Sequence, residues 1–450
     1  MLDYIHQYAN WGWDGMTGFI IPFIIVLSVL VFVHEWGHYI VARMCGVRVE
    51  KFSIGFGKEL FGYTDKAGTR WKFSLIPLGG YVQMFGDEDP ASAKTSDKVE
   101  EGEVKRVMTA EEKKVAFFNK PVWQRAAIVF AGPAINFLFA IVLLMGVYIA
   151  VGKPVNPPVA AAIIVGGAAD EAGLIPHDRI IAIDGKTIES FSEIQRQVAI
   201  SLDRTLSLTV LRNGEEIELT VTPKVEEMED RFGFSHSRGM IGMIGAGMAI
   251  SYDDIQTVNG REVSDSGIDA IMDRDAIITL PWGNDETRAL KIQPLSERNM
   301  EGDRTLVLTE VEGRDIVKYS APTAMVEAVR ETWFMITGTL EGLGQIITGT
   351  RSTDELGGII RIGAIAGDAA SAGIVALITF MAMLSINLGL INLFPIPLLD
   401  GGHLVFYAYE ALFKKPMPEK VMEYALKFGL VFLVCLMAFA NLNDIIQLIM

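Results

Sequence analysis

VFVHEWGHYIVARMCG, residues 31–46, places His34, Glu35 and His38 inside a run that otherwise reads as membrane-spanning. On a helix, two histidines four residues apart sit one turn from each other on the same face, so both imidazoles reach one zinc ion. Glu35 stands beside them, placed to take a proton from water on that ion. Ionisable side chains in hydrocarbon are costly and by default mark function. Cys45 shares that helical face but lies seven residues past His38, about 10 Å along the axis. A Zn–S bond is about 2.3 Å, so Cys45 reads as packing.

The surrounding run, from Met16 to Met44, is long enough to cross about 30 Å of hydrocarbon. Residues 1–16 hold Asp3 and Asp14 but no Lys or Arg, unlike the positive start of a signal peptide. Over the whole chain of 450 residues, 50% are hydrophobic and 21% charged, which predicts a few spans plus aqueous domains of ordinary size. The net charge of −16 argues against nucleic acid as a partner. Two cysteines, Cys45 and Cys435, provide no disulfide framework.

Three further spans are expected, at 126–152, at 373–412 and within 413–450. Basic residues mark the connections: Arg43, Arg48, Lys51, Lys113, Lys114, Lys120 and Arg125 after the first span, Lys414, Lys415 and Lys420 after the third. The positive-inside rule makes those sides cytoplasmic and puts both termini and the segment after residue 152 outside. Within the loop 46–125, WKFSLIPLGGYVQMFG (71–86) reads as a β-hairpin or a strand with a turn at Pro77 and Gly79–Gly80, either re-entrant at the membrane or packed on its cytoplasmic surface. Residues 87–114 read as a solvated insert. In the second span, GPAIN (132–136) combines Gly132 and Ala134, small enough for close helix approach, with Asn136, whose amide needs a partner on another helix.

Between the second and third spans the pattern turns to strands. AADEAGLIPHDRIIAIDGKTI and LRNGEEIELTVTP, with Asn213–Gly214 at a hairpin tip, resemble a PDZ domain over 154–225. A second copy is expected over 230–318, because DRIIAIDGKTI (178–188) lines up with DDIQTVNGREV (253–263) and a hairpin with Asn284–Asp285 at its turn follows. A PDZ groove takes an extended peptide as an added strand; the plainer reading is a β-rich region with no ligand. Residues 322–372 then read as an amphipathic helix at the membrane, followed by a glycine-rich bend, ELGGIIRIGAIAG.

The third span contains NLFPIPLLDGGH, residues 392–403. Prolines, glycines and an acid break a helix at membrane depth, which is tolerated only in protein or beside a cavity. A catalytic zinc takes three protein ligands and keeps one position open. Asp400 is the favoured third ligand, because its charge offsets part of the zinc's and is otherwise hard to explain there; His403 competes, three residues on.

HEWGH, GPAIN and NLFPIPLLDGG together resemble the site-2 protease family of intramembrane zinc metalloproteases, in particular its bacterial branch with paired PDZ modules. The resemblance spans nearly the whole chain. It implies an α-helical membrane protein of about four transmembrane helices, with an inserted pair of α+β PDZ-like domains and a small membrane-associated β-hairpin region. It implies that His34, His38 and Asp400 bind zinc, that Glu35 is the general base, and that Asn392, Asn387, Gly79 and Gly80 contact the substrate backbone. Its partners would be the lipid bilayer, a peptide in a PDZ groove, and single-span membrane substrates such as anti-sigma factors or remnant signal peptides, cut after a first cleavage. The expected location is the bacterial inner membrane, with periplasmic PDZ domains and an active site near the cytoplasmic side. Relatives often carry Gly-Pro where this chain has Gly357–Gly358. The alternative is a membrane-anchored PDZ scaffold whose metal site is not catalytic.

Overall fold

The computed structural model describes residues 13–86, 98–101, 104–202, 204–229, 232–247, 249–263, 275–282, 286–300, 303–309 and 315–449. Among these described residues, four helices are long and apolar enough to cross a membrane. They are α1 (Trp13–Met44, its apolar span beginning at Gly18), α2 (Val122–Ala150), α6 (Ile374–Asn392) and α8 (Glu419–Ile449). The remaining long helices are α3 (Phe191–Ile200), α4 (Ala321–Thr348), α5 (Ile359–Ser371) and α7 (Asp400–Phe413). Two compact units result, one from residues 1–149, 320–339 and 356–450, the other from 150–319 and 340–355.

In the first unit, α1 passes into a curled antiparallel ribbon, β1 (Val49–Thr64) and β2 (Arg70–Met84). Each strand bends midway, so the ribbon becomes four short strands. Lys51–Ile54 pairs with Gly80–Gln83 on one side and with Arg70–Phe73 on the other, and Phe61–Thr64 pairs with Arg70–Phe73 beyond. The chain reverses near Pro77 and Gly79–Gly80 as expected, because Arg70–Phe73 runs parallel to Lys51–Ile54 and Gly80–Gln83 antiparallel to it; a second reversal, at Asp65–Thr69, precedes it. Asp65 Oδ1 accepts the N–H groups of Ala67 and Thr69, both at 2.9 Å, and Oδ2 accepts from Trp71 Nε1. An aspartate whose side chain accepts from turn amides favours a reversal at that point. Gly79, at φ +136°, serves the bend in β2. The inner half of the ribbon is pinned to α1 by Tyr39, whose ring meets Trp71 edge-on (ring centroids 5.0 Å apart), while Trp71 stacks on Phe52 within the ribbon (4.4 Å). Its outer half carries exposed Phe56, Leu60, Phe61, Tyr63, Leu75 and Ile76.

Within the insert expected over 87–114, Lys98–Glu101 pairs with Val104–Val107, and Ala110–Val115 is a helix started by a Thr109–Glu112 capping box. Residues 87–97, 102 and 103 lie outside the described residues. The glycine-rich stretch read as a bend is largely α5. Its first N–H groups are capped from α8: Asp444 Oδ2 accepts from Gly358 and Arg361 (3.0 Å each) and Asn441 Oδ1 from Ile359 (3.1 Å). A carboxylate there also meets the positive end of the helix dipole. The amphipathic α4 buries Ala324 and Ala328 and exposes Met325, Val326, Val329 and Trp333.

The second unit is sheet-rich and uses one strand order twice. Glu215–Val221, Leu206–Arg212, Arg179–Ile183 and Lys186–Thr187 lie side by side in that order; so do Glu286–Ile292, Ala276–Trp282, Thr257–Val258 and Arg261–Glu262. The two aligned segments, 178–188 and 253–263, therefore hold equivalent places. Asn213 and Gly214 form the predicted tip with φ +51° and +87°; Asn284–Asp285 lie outside the described residues. Strand Ala160–Ile164 joins the later sheet at Glu286–Ile292. Its Ala160 and Ile163 pack in the first core, its Ala161 and Ala162 in the second, so one strand ties the copies together.

Candidate metal and catalytic centre

The helical spacing of α1 brings His34 Nε2 to 3.3 Å from His38 Nε2. The third corner comes from the break after α6. That helix closes at Asn392, before the expected span ends, because Pro395 and Pro397 cannot continue it. The chain turns through Leu398, at φ +84°, and restarts as α7 with Asp400 in its first turn. Gly401 and Gly402 make this return possible. A Cβ on Gly401 would stand 2.3 Å from the carbonyl oxygens of Leu393 and Phe394, and one on Gly402 2.4 Å from that of Ile396. The reversal delivers Asp400 Oδ2 to 3.3 Å from His34 Nε2 and 3.5 Å from His38 Nε2.

Two nitrogens and one oxygen in a triangle of 3.3–3.5 Å edges match a metal centre. Ligands about 2.0–2.1 Å from a tetrahedral zinc lie about 3.3–3.4 Å from one another. Asp400 Oδ2 is buried and accepts no hydrogen bond, which a metal would remedy. Among the described residues this is the cluster of His, Cys, Asp and Glu able to hold a metal ion. Of the two candidates for third ligand, the one in this cluster is Asp400. His403 lines the adjoining cavity, edge-on to Phe406, and Asp400 completes the triangle. Cys45 packs in the apolar cluster with Tyr39 and Phe52.

α2 supports both histidines from behind. His38 Nδ1 lies 2.8 Å from the Ile128 carbonyl, and His34 Nδ1 lies 3.1 Å from the Asn136 side-chain amide. Gly132, between them on the same face, leaves the imidazoles their space: a Cβ there would stand 2.3 Å from His38 Nε2 and 2.9 Å from His34 Cε1. From the sequence Gly132 reads only as a helix-packing residue. The i, i+4, i+8 spacing of Ile128, Gly132 and Asn136 was the signal that one face of α2 serves the site.

The triangle opens on a cavity of about 340 Å³ lined also by Glu35, Gly80, Val82, Asn392 and His403. Gly80 lets β2 run against α1, since a Cβ there would meet Ser53 O at 2.6 Å, Val31 Cγ1 at 2.7 Å and Glu35 Cγ at 3.2 Å. Of the predicted substrate contacts, Gly80 and Asn392 reach the cavity. Gly79 faces the Phe56 ring, where a Cβ would stand 2.4 Å away. Asn387 is engaged elsewhere, its Oδ1 accepting from Thr339 Oγ1 at 3.2 Å.

Comparison with known proteins agrees with this centre. The profile of peptidase family M50 matches residues 22–436. A zinc metalloprotease of Agrobacterium fabrum is 39% identical over 437 residues, covering 96% of this chain and 97% of that protein. One of Rickettsia conorii is 34% identical over 426 residues, 95% of this chain and 98% of that one. The regulator of sigma E protease of Haemophilus influenzae is 32% identical over 461 aligned positions, covering 95% and 98%. A membrane-embedded His-Glu-x-x-His helix joined by an aspartate some 360 residues on, in a sequence matched almost end to end by such proteins, leaves one assignment: the chain belongs to peptidase family M50, as a zinc metalloprotease of the site-2 type.

Proposed function

We propose that this protein hydrolyses a peptide bond inside the transmembrane segment of single-span membrane proteins, after a first protease has removed most of the substrate's outer domain. The observation that carries this reading is Glu35 sharing one cavity with the His34–His38–Asp400 triangle and with the Gly80–Val82 stretch of β2. Zinc held by the triangle supplies Lewis acidity toward a carbonyl oxygen and makes water a nucleophile at neutral pH. Glu35 takes the proton from the attacking water and returns it to the departing amine.

A helical peptide bond is shielded by its own hydrogen bonds, so the substrate must unwind locally. Among the described pairings Gly80–Gln83 is bonded to β1 on one side, and its other edge suits an extended substrate added as a strand. Asn392 offers an amide to the same backbone. The apolar outer half of the ribbon suits an interfacial or re-entrant position. The duplicated sheets of the second unit are read as PDZ-like modules facing the periplasm, binding an extended peptide and admitting only trimmed substrates. The basic residues after α1 and α7 favour an inner-membrane protein with its centre near the cytoplasmic side. Anti-sigma factors and remnant signal peptides are the substrate classes that fit.

Glu35→Gln tests the assignment. Cleavage of a single-span reporter in membranes is expected to fall about 10²–10⁴-fold while bound zinc stays at the wild-type level. Cleavage at an undiminished rate would sink it.

A further inference from the structure

Asn136 is fully buried in α2, where an amide must earn its place through a partner. Its backbone oxygen accepts a hydrogen bond from the Ser385 hydroxyl of α6 at 2.8 Å. Gly389, one turn on in α6, leaves room for its side chain: a Cβ there would stand 3.3 Å from Asn136 Cβ. Held in this way, the amide faces His34 Nδ1 at 3.1 Å.

Its two ends occupy the same space when exchanged, and chemistry decides between them. With Nδ2 toward the ring, an N–H donor needs a lone pair on Nδ1. A neutral imidazole then carries its proton on Nε2, aimed at His38 Nε2 and Asp400 Oδ2, which leaves no lone pair for a metal. With Oδ1 toward the ring, the amide accepts from Nδ1–H, and the Nε2 lone pair points into the triangle. The second ligand behaves in the same sense. His38 Nδ1 faces the Ile128 carbonyl at 2.8 Å, and a carbonyl only accepts, so His38 carries its proton on Nδ1 and keeps Nε2 free.

We infer that Asn136 is a positioning residue: its Oδ1 accepts from His34 Nδ1–H, locking the tautomer and ring orientation in which His34 binds zinc. The inference rests on the zinc reading above and adds a residue outside the ligand set. Partners of this kind, which orient a ligating histidine through its second nitrogen, are worth about 10–100-fold in metal affinity.

The test is zinc affinity of the detergent-purified full chain, measured by competition with a chelator. Asn136→Leu, which removes the acceptor, is expected to weaken zinc binding about 10–100-fold. Asn136→Asp, whose side chain when ionised only accepts, is expected to hold zinc within a few-fold of wild type. If leucine does not fold there, Asn136→Ala carries the same arm, since the Ser385 contact is to the backbone. Undiminished affinity in the leucine or alanine variant overturns the inference, and so does an aspartate variant as impaired as leucine. A wild-type chain that binds no zinc would instead overturn the metal reading itself.

Discussion

The two units differ in how much change they tolerate. At the candidate metal centre two side chains come from α1 and one from the start of α7, and glycines hold the clearances: 2.3 Å at Gly132 and Gly401 and 2.6 Å at Gly80, were a Cβ added. In the second unit one strand order occurs twice, and the copies are joined by a shared strand and by a partly exposed ion pair between Lys291 and Asp170. Close-packed interiors punish added volume, whereas exposed pairs contribute little each. Catalytic geometry should therefore fail at single methyl groups in the first unit, and the second should lose only stability.

Gly132→Ala is the severest test. Its Cβ occupies the position of the His38 ring, so both zinc content and reporter cleavage should be lost; an active, zinc-loaded variant would show that α2 yields more than its packing allows. Gly401→Ala comes next. Two backbone carbonyls must move, carrying Asp400 with them, and a misplacement near 1 Å is worth about 100-fold in rate. Single-turnover cleavage with zinc content measured alongside checks this.

In the second unit, Arg212 donates to Asp178 Oδ2 at 2.6 Å and Asp178 is 1% exposed. The hydrogen bond to Asp178 raises the guanidinium's pKa above its ordinary value, with burial opposing. Arg212→Ala strands that carboxylate on one remaining donor, Ile175 N–H at 2.9 Å. A destabilisation of about 1–3 kcal/mol is expected, read in denaturant melts, with cleavage of an already trimmed reporter unchanged.

The smallest effect belongs to Asp170. Burial raises its pKa, but the hydrogen bond from Lys291, that from Gly166 N–H and the lysine's charge outweigh it, and the net value lies below the ordinary one. A carboxylate depressed in the folded state lends stability that is full above its unfolded pKa, about 3.9, and lost as pH falls through the folded value. Because Lys291 is 39% exposed, the pair should contribute less than about 1 kcal/mol. Protection factors for amide exchange in Glu286–Ile292, which divide out the intrinsic pH dependence, should fall on going from about pH 5 to pH 3 in wild type, and Asp170→Asn should flatten that part of the dependence.

Much of this architecture is legible in local pattern. The apolar runs mark the spans, His34 and His38 lie one turn apart by helical arithmetic, and Asn213–Gly214 names its turn. The β1–β2 ribbon was half seen. Pro77 and Gly79–Gly80 signal the reversal within its second strand, whereas the tip at Asp65–Thr69 rests on amides bound by the Asp65 side chain and is weakly signalled. ELGGIIRIGAIAG looked like a bend because its cap, Asp444, lies more than 80 residues away. Asn387 and Asn392 look alike in sequence, yet only Asn392 lines the cavity; which face a side chain takes near a helix end depends on what packs against it.

The sequence by itself marked a candidate zinc centre: two imidazoles one turn apart, a glutamate beside them, and apolar spans around them. Those assignments follow from residue type, helical period and the cost of charge in hydrocarbon, all local quantities. The tertiary structure chose Asp400 over His403, set the triangle at 3.3–3.5 Å and put Gly132 and Asn136 behind the histidines. Distances between helices far apart in the chain depend on how side chains fill the space between them, and spacing along one segment carries no record of that.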